Sequence, residues 1–270
     1  MNTPERSTPR GDRPGIPDIT TLWRTPLPHL ADQPGIRLLC RSILTVFHGH
    51  VRSFHGLEHI ATAADPFLLV LNHSQRPEAI LVPTWLCFHR GGRMVHFMAD
   101  WNFLMIPAVG GIIRAHDPIV VTRKAARPAF LNRFKSRYAG ALPPFEEAAR
   151  RLQHGRCVGV FPEGTTNRHP TELLRGYHGA AQLAVDTGVR VVPGGIRFDS
   201  NATGRTISDR APFSVHFGAP ISGSASRNES ETSAEAVRQK HHEIMTAIST
   251  LSGKRWQAQG RRTKYAFDED

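Results

Sequence analysis

Phe67-Leu68-Leu69-Val70-Leu71-Asn72-His73-Ser74-Gln75-Arg76-Pro77-Glu78 is the stretch on which the reading of this chain turns. An unbroken apolar run passes directly into a polar loop. A run apolar on both alternating sides reads as a strand buried on both faces, as in a parallel sheet covered by helices. A polar loop at the C-terminal end of such a strand is where open α/β sheets place their chemistry. The same arrangement recurs further along. Cys157-Val158-Gly159-Val160 is apolar, and Phe161-Pro162-Glu163-Gly164-Thr165-Thr166-Asn167-Arg168 follows it.

Working outward from these loops, apolar runs and helical periodicities alternate. Strands are predicted at 67–71, 94–98, 119–121, 158–161, 189–192 and 215–217. Helices are predicted at 78–88, 143–153, 178–187 and 232–251. Pro107, Gly110 and Gly111 break the apolar stretch 103–113 into short helical turns. Such alternation predicts one α/β domain with a mixed or mostly parallel central sheet covered by helices on both faces. Ahead of it, Ile36, Leu39, Ile43, Phe47 and Val51 recur every three or four residues and predict an N-terminal amphipathic helix. Arg37, Arg41 and Arg52 flank that stripe. Such a helix either lies in a membrane interface or packs on its own core. The expected organisation is a flexible arm over 1–35, the domain over 36–252 and a basic, solvated tail over 253–270. Residues 222–233, rich in serine, read as a solvated loop.

Composition narrows the partners. The chain has 270 residues and a formal net charge of +11. An excess of this size points to anionic partners. No aromatic-basic RNA motif, helix-turn-helix pattern or zinc-finger spacing supports nucleic acid. Lipid head groups, the phosphates of coenzyme A or an acidic acyl carrier protein fit the charge equally well. No run of eighteen apolar residues predicts a spanning helix. The N-terminal residues lack the apolar core of a signal peptide. The expectation is a cytoplasmic protein that meets the inner face of the membrane peripherally. Cys40, Cys87 and Cys157 are odd in number and far apart, and read as reduced core residues rather than a disulfide framework. His48, His50, His55 and His59 match no zinc spacing and read as fortuitous, so no metal is expected.

The two loops carry the groups needed to take a proton from a hydroxyl nucleophile. A hydroxyl nucleophile has a pKa far above neutrality, so a general base must take its proton, and histidine titrates near working pH. The other ring nitrogen needs an orienting carboxylate, the role open to Glu78. Five positions along one helix turn through about 500°, so His73 and Glu78 cannot face each other from a single helix. They can meet if His73 lies in the loop and Glu78 in the first helical turn, where Pro77 is tolerated. Ser74 is then a plausible N-cap. Amides at that helix start are the expected oxyanion donors. There is no Gly-x-Ser-x-Gly elbow, so Ser74 does not signal a serine hydrolase. Taken alone, Phe161-Pro162-Glu163-Gly164 reads as a turn with a solvent-facing carboxylate. Paired with the histidine loop, it offers Glu163 to acceptor hydroxyls and Thr165 or Arg168 to the polar head, while Arg123 and Lys124 are candidate phosphate ligands.

The ordered motifs resemble the glycerolipid acyltransferase family. His73 to Glu78 is similar to its His-x4-Asp motif, which carries Glu in some relatives. Pro118-Ile119-Val120-Val121-Thr122-Arg123 is similar to its second motif. Phe161, Pro162, Glu163, Gly164 and Thr165 match the start of Phe-Pro-Glu-Gly-Thr-Arg-Ser, and Val191-Val192-Pro193 the fourth. With the 179–188 helix and Val215-His216-Phe217-Gly218-Ala219-Pro220, the likeness runs from about Phe54 to Ile221. It implies a His73–Glu78 catalytic pair, no cofactor, and transfer of a fatty acyl chain from acyl-CoA or acyl carrier protein to a lysolipid hydroxyl. The best-known members are 1-acylglycerol-3-phosphate O-acyltransferases of phospholipid biosynthesis. This chain departs from them at Thr166-Asn167, where the family has Arg-Ser. In the family that arginine is expected to help hold the acceptor phosphate, and threonine cannot supply its planar fork. An acceptor without phosphate, such as an aminolipid or lipid-tailed metabolite, and a thioesterase using the same pair, are the alternatives.

Overall fold

A computed structural model describes residues 13–126, 128–199, 205–224 and 233–263. Seven strands form one sheet in the order β1-β7-β6-β2-β5-β3-β4. They are β1 (Val51–His55), β2 (Leu68–Leu71), β3 (Val95–Asp100), β4 (Ile119–Val121), β5 (Cys157–Val160), β6 (Val191–Phe198) and β7 (Phe213–Phe217). From β6 to β4 every neighbouring pair is parallel. β7 runs antiparallel to β6, and β1 is parallel to β7. The sheet is mixed and mostly parallel, as the alternation predicts.

Helices cover both faces. Alternate residues of β2 point opposite ways, so Leu69 and Leu71 join one core and Leu68 and Val70 the other. The first core is closed by α2 (Pro34–Val46) and α3 (Glu78–His89), with Cys40, Ile43, Leu44, Trp85 and Leu86 among its buried residues. The second is closed by α6 (Pro144–Gln153), α7 (Gly179–Thr187) and α8 (Ser233–Ser252), through Leu152, Leu183, Ile244 and Ile248. Two short helices, α4 (Trp101–Leu104) and α5 (Val109–Ala115), follow β3, and a 3-10 helix at Ala129–Tyr138 follows β4. All three cysteines are buried and free.

Three expectations change. The apolar stripe overruns its helix: α2 ends at Val46, Phe47 is its C-cap, and Val51 opens β1, which pairs with β7. Residues of a helix and of the strand after it had fallen into one spacing. Over its described residues the arm is packed rather than loose. Asp18 caps a short helix, α1 (Ile19–Arg24), and Leu22, Leu27 and Leu30 enter the first core. The described part of the tail is also docked, with Lys254 buried and Trp256 packed against the second core. Apolar anchors spaced too irregularly to show a period hold both segments. Residues 1–12, 225–232 and 264–270 lie outside the described residues, so most of the expected serine-rich loop does too.

Candidate active site

The parallel arrangement brings the C-terminal ends of β2 and β5 side by side, so the two polar loops meet. Asn72 extends the pairing of β2 beyond its last residue. Its side chain accepts from Ile196 N at 2.7 Å and donates to Ile196 O at 3.1 Å. The next residue, His73, is tied to the second loop by its backbone. Its N–H donates to Glu163 Oε1 at 3.2 Å, and its carbonyl accepts from Asn167 N at 2.7 Å.

The imidazole lies between a carboxylate and a hydroxyl. His73 Nδ1 is 2.8 Å from Glu78 Oε2, and Nε2 is 3.2 Å from Thr166 Oγ1. Glu78 is the first residue of α3 and its side chain is fully buried. A carboxylate accepts, so Nδ1 carries the proton and Nε2 presents its lone pair to the Thr166 hydroxyl. Phe161 stacks on the ring at a centroid distance of 4.5 Å, and Phe97 backs Phe161 at 5.3 Å. The histidine thus has a set tautomer and a set plane. Such an arrangement can take a proton from a hydroxyl that arrives at Nε2.

The start of α3 is built differently from the expectation. Pro77 is its N-cap residue and makes no side-chain cap. Instead Glu78 Oε2 accepts the Ser74 N–H at 2.7 Å. Asp209 Oδ1 accepts Arg76 N at 3.0 Å. The amides of Ser74 and Arg76 are therefore engaged and do not point at an oxyanion. Ser74 Oγ instead accepts from Lys254 Nζ at 2.7 Å, and Lys254 Nζ also donates to His169 O at 2.8 Å.

Glu163 faces inward, not toward solvent as the isolated turn suggests. It is 1% exposed, and Oε2 accepts from Asn167 Nδ2 at 2.7 Å and Leu174 N at 2.8 Å. Burial raises its pKa, and the bond from Leu174 and the nearby Lys254 oppose that. Glu163 holds the loop after β5 against His73. The turn itself needs Gly164, whose φ of +64° is left-handed and where a Cβ would meet the Tyr177 ring at 2.8 Å. Phe161 and buried Pro162 are packing residues, and Pro162 O also accepts from Tyr177 N at 2.8 Å. Thr165 is half-buried beside them.

The basic residues divide. Arg168 is committed: Nη2 pairs with Asp209 Oδ2 at 2.6 Å and Nη1 donates to Ile207 O at 2.7 Å. It fastens the 207–211 segment to the site. Arg123 and Lys124 are exposed at the same edge. Arg123 lies over the Tyr177 ring at 5.7 Å, and Lys124 Nζ donates to Gly164 O at 3.0 Å. Thr166, Asn167 and Lys254 are the residues sequence reasoning missed as parts of the site. In the sequence Thr166 and Asn167 stand out only for what they replace, and Lys254 stands 180 residues from Ser74 without any motif.

The histidine cluster disperses. His48 bonds Pro17 O, His50 lies against Phe213 and His55 stacks on His216. Among the described residues no group of three or more His, Cys, Asp or Glu side chains could hold a metal.

A histidine fixed by a buried carboxylate at the carboxyl edge of a parallel sheet has the parts that general-base catalysis needs. Residues 51–197, more than half of the chain, match the family described as Acyltransferase. The chain belongs to that family and is an acyltransferase. Its fold is similar to the crystal structure of the 1-acyl-sn-glycerophosphate (LPA) acyltransferase PlsC from Thermotoga maritima, at 20% sequence identity and a TM-score of 0.50. That likeness covers 83% of this chain and 80% of the other. No curated protein matches the chain.

Proposed function

We propose that the protein moves a fatty acyl chain from a thioester donor, acyl-CoA or acyl carrier protein, to the hydroxyl of a lysolipid. His73 is the general base and Glu78 the group that orients it and stabilises the imidazolium. The carrying observation is the line Glu78 Oε2, His73 Nδ1, His73 Nε2, Thr166 Oγ1, with its 2.8 and 3.2 Å contacts. Thr166 Oγ1 marks where an acceptor hydroxyl would give up its proton. The hydroxyl oxygen attacks the thioester carbonyl as Nε2 takes the proton, and the thiolate leaves with that proton. The acceptor proposed first is 1-acylglycerol-3-phosphate, with Arg123 as the exposed cation for its phosphate.

One observation favours a second acceptor. The family's phosphate-holding arginine is Thr166 here, and Arg168 is already paired with Asp209. A lysolipid whose head group carries no phosphate therefore fits the loop after β5 as well.

Membrane binding is proposed to be peripheral. No helix among the described residues is long and apolar enough to cross a membrane. Exposed Phe47, Phe103, Ile106, Phe130, Phe145 and Tyr177 all lie in connections at the carboxyl edge of the parallel strands, the edge that carries His73. The 3-10 helix at Ala129–Tyr138 has no buried residue, and Arg133 lies over Phe130 and Phe134. Aromatic and cationic groups presented together suit an anionic bilayer surface.

The test is product analysis with labelled acyl-CoA and a panel of phosphate-bearing, amine-bearing and uncharged lysolipids. Transfer to at least one, reduced at least about 10²-fold by His73→Ala, is expected. Acyl hydrolysis with no transfer to any member would replace this reading with a thioesterase.

A further inference from the structure

Lys254 lies well beyond the span matched to the family, 51–197. It follows α8 after a turn at Gly253, whose φ is +71°. Although it comes from the charged end of the chain, it is only 3% exposed. Its backbone is clamped: Ser249 Oγ donates to Lys254 O at 2.6 Å, and Lys254 N donates to Ser252 Oγ at 3.3 Å. The adjoining Arg255 exchanges backbone bonds with the loop after β5, donating to Thr171 O and accepting from Leu173 N, each at 2.8 Å. The side chain thus enters behind the histidine loop, where Nζ meets Ser74 Oγ and His169 O.

The electrostatic setting explains why a cation is tolerated there. Glu78 and Glu163 are fully or almost fully buried. An isolated carboxylate in such a place is costly, and a nearby opposite charge favours its ionised form. Lys254 feels both. Burial lowers its pKa, while Glu163 and Glu78 oppose that shift. The groups around it are His73 and Ser74 from the loop after β2, Glu78 from α3, and Glu163, His169 and Glu172 from the connection after β5, with Arg255 beside it on its own segment.

We propose that Lys254 is a positioning residue of the acyl-transfer site, holding Ser74 in place and offsetting the negative charge of Glu78 and Glu163 so that His73 is set as a neutral base. The proposal rests on the reading of His73 as that base. Lys254 touches neither substrate nor the imidazole. It acts through the Ser74 hydroxyl and through its charge.

Glu78 keeps its bonds from Ser74 N and His73, and Glu163 its bonds from Asn167 and Leu174, whether or not Lys254 is present, so the sign of the effect on His73 is that of the ammonium charge. Removing an ammonium from the site makes the imidazolium easier to form. The acid limb of kcat/KM against pH, where His73 becomes protonated, should then move to higher pH. Lys254→Met is expected to lower kcat at least about tenfold and to move that limb measurably to higher pH, the direction in which loss of a nearby positive charge acts. Lys254→Arg restores the charge and should return the limb toward its original position. Arg255→Ala loosens the same segment without removing the ammonium and should leave the limb in place. Ser74→Ala should lower kcat with no shift in the limb.

A limb unmoved in Lys254→Met, with a kcat loss no larger than that of Arg255→Ala, overturns the proposal. If the Lys254 variants do not fold, near-normal kcat in Ser74→Ala overturns it instead. His73→Gln separates the two readings. If the acid limb survives there, the assignment of His73 is at fault. If the limb disappears there yet stays put in Lys254→Met, only the role of Lys254 fails.

Discussion

Replacing Glu78 by glutamine tests the site at its most informative point. The substitution keeps the size of the side chain, and an amide oxygen can still accept from Ser74 N and His73 Nδ1, as Oε2 does at 2.7 and 2.8 Å. What is lost is the negative charge facing the imidazolium that forms as the acceptor gives up its proton. With Oε2 and Nδ1 at 2.8 Å, the delocalised charge centres lie roughly 4 Å apart, and at an effective dielectric of about 20 the attraction is about 4 kcal/mol. Each ~1.36 kcal/mol is tenfold in rate, so the ceiling is about 10³-fold. The amide dipole recovers part of this, and the expected loss in kcat is about 10²- to 10³-fold with KM little changed. Thiol release from acyl-CoA in the presence of acceptor gives the rate. The three cysteines are buried and should contribute little background. Thermal melting checks that the variant folds. A loss below about tenfold in a folded variant would refute the assignment of Glu78 as the partner of a charged intermediate.

Thr166→Arg should raise the preference for 1-acylglycerol-3-phosphate over an uncharged acceptor by about ten- to a hundred-fold, since a hydrogen bond to a charged group contributes about 1.5–3 kcal/mol; an unchanged ratio in a competition assay means the phosphate is held elsewhere. Phe103→Glu combined with Phe130→Glu should weaken binding to anionic vesicles at least about tenfold, because each partly buried phenyl ring contributes on the order of 1 kcal/mol. Higher salt should weaken wild-type binding by screening, and co-sedimentation that is indifferent to both changes would rule out this edge as the contact. Burial holds the pKa of His89, His216 and His241 down to about 4. Between about pH 6.5 and 4 the unfolded chain therefore binds protons at these sites that the folded protein does not. Their contribution to stability is complete above the unfolded value near 6.5 and falls as pH drops toward 4. His241→Gln should flatten the loss of urea stability between pH 7 and 5, and an equally steep or steeper loss in that variant would contradict the attribution.

Much of this architecture is legible in the chain, and the reason is local. Parallel strands buried on both faces must be apolar at every position, so Leu68–Leu71 and Cys157–Val160 stand out, and the polar residues that end them mark one edge of the sheet. The helical turn at Glu78 is legible too, because Pro77 starts it and the angular argument separates His73 from it. Strand β1 is hidden, because Val51 continues the helical spacing of Ile36, Leu39 and Ile43 until pairing with β7 takes it into the sheet.

The roles of the charged residues are a different matter. From the sequence, Glu163 reads as a carboxylate offered to the acceptor and Arg168 as a head-group ligand. Tertiary structure turns Glu163 inward onto Asn167, Leu174 and the His73 amide, and commits Arg168 to Asp209. Lys254 reads as part of a solvated tail, yet the docking of the segment after α8 buries it behind Ser74. Apolar periodicity follows from which side of an element is dry, which nearest neighbours in sequence reveal. Whether a charge faces solvent, substrate or another charge depends on which distant segment closes over it, so six of the seven strands and the loops at their edge can be read along the chain, while the partners of the polar groups in those loops emerge only once remote segments pack against them.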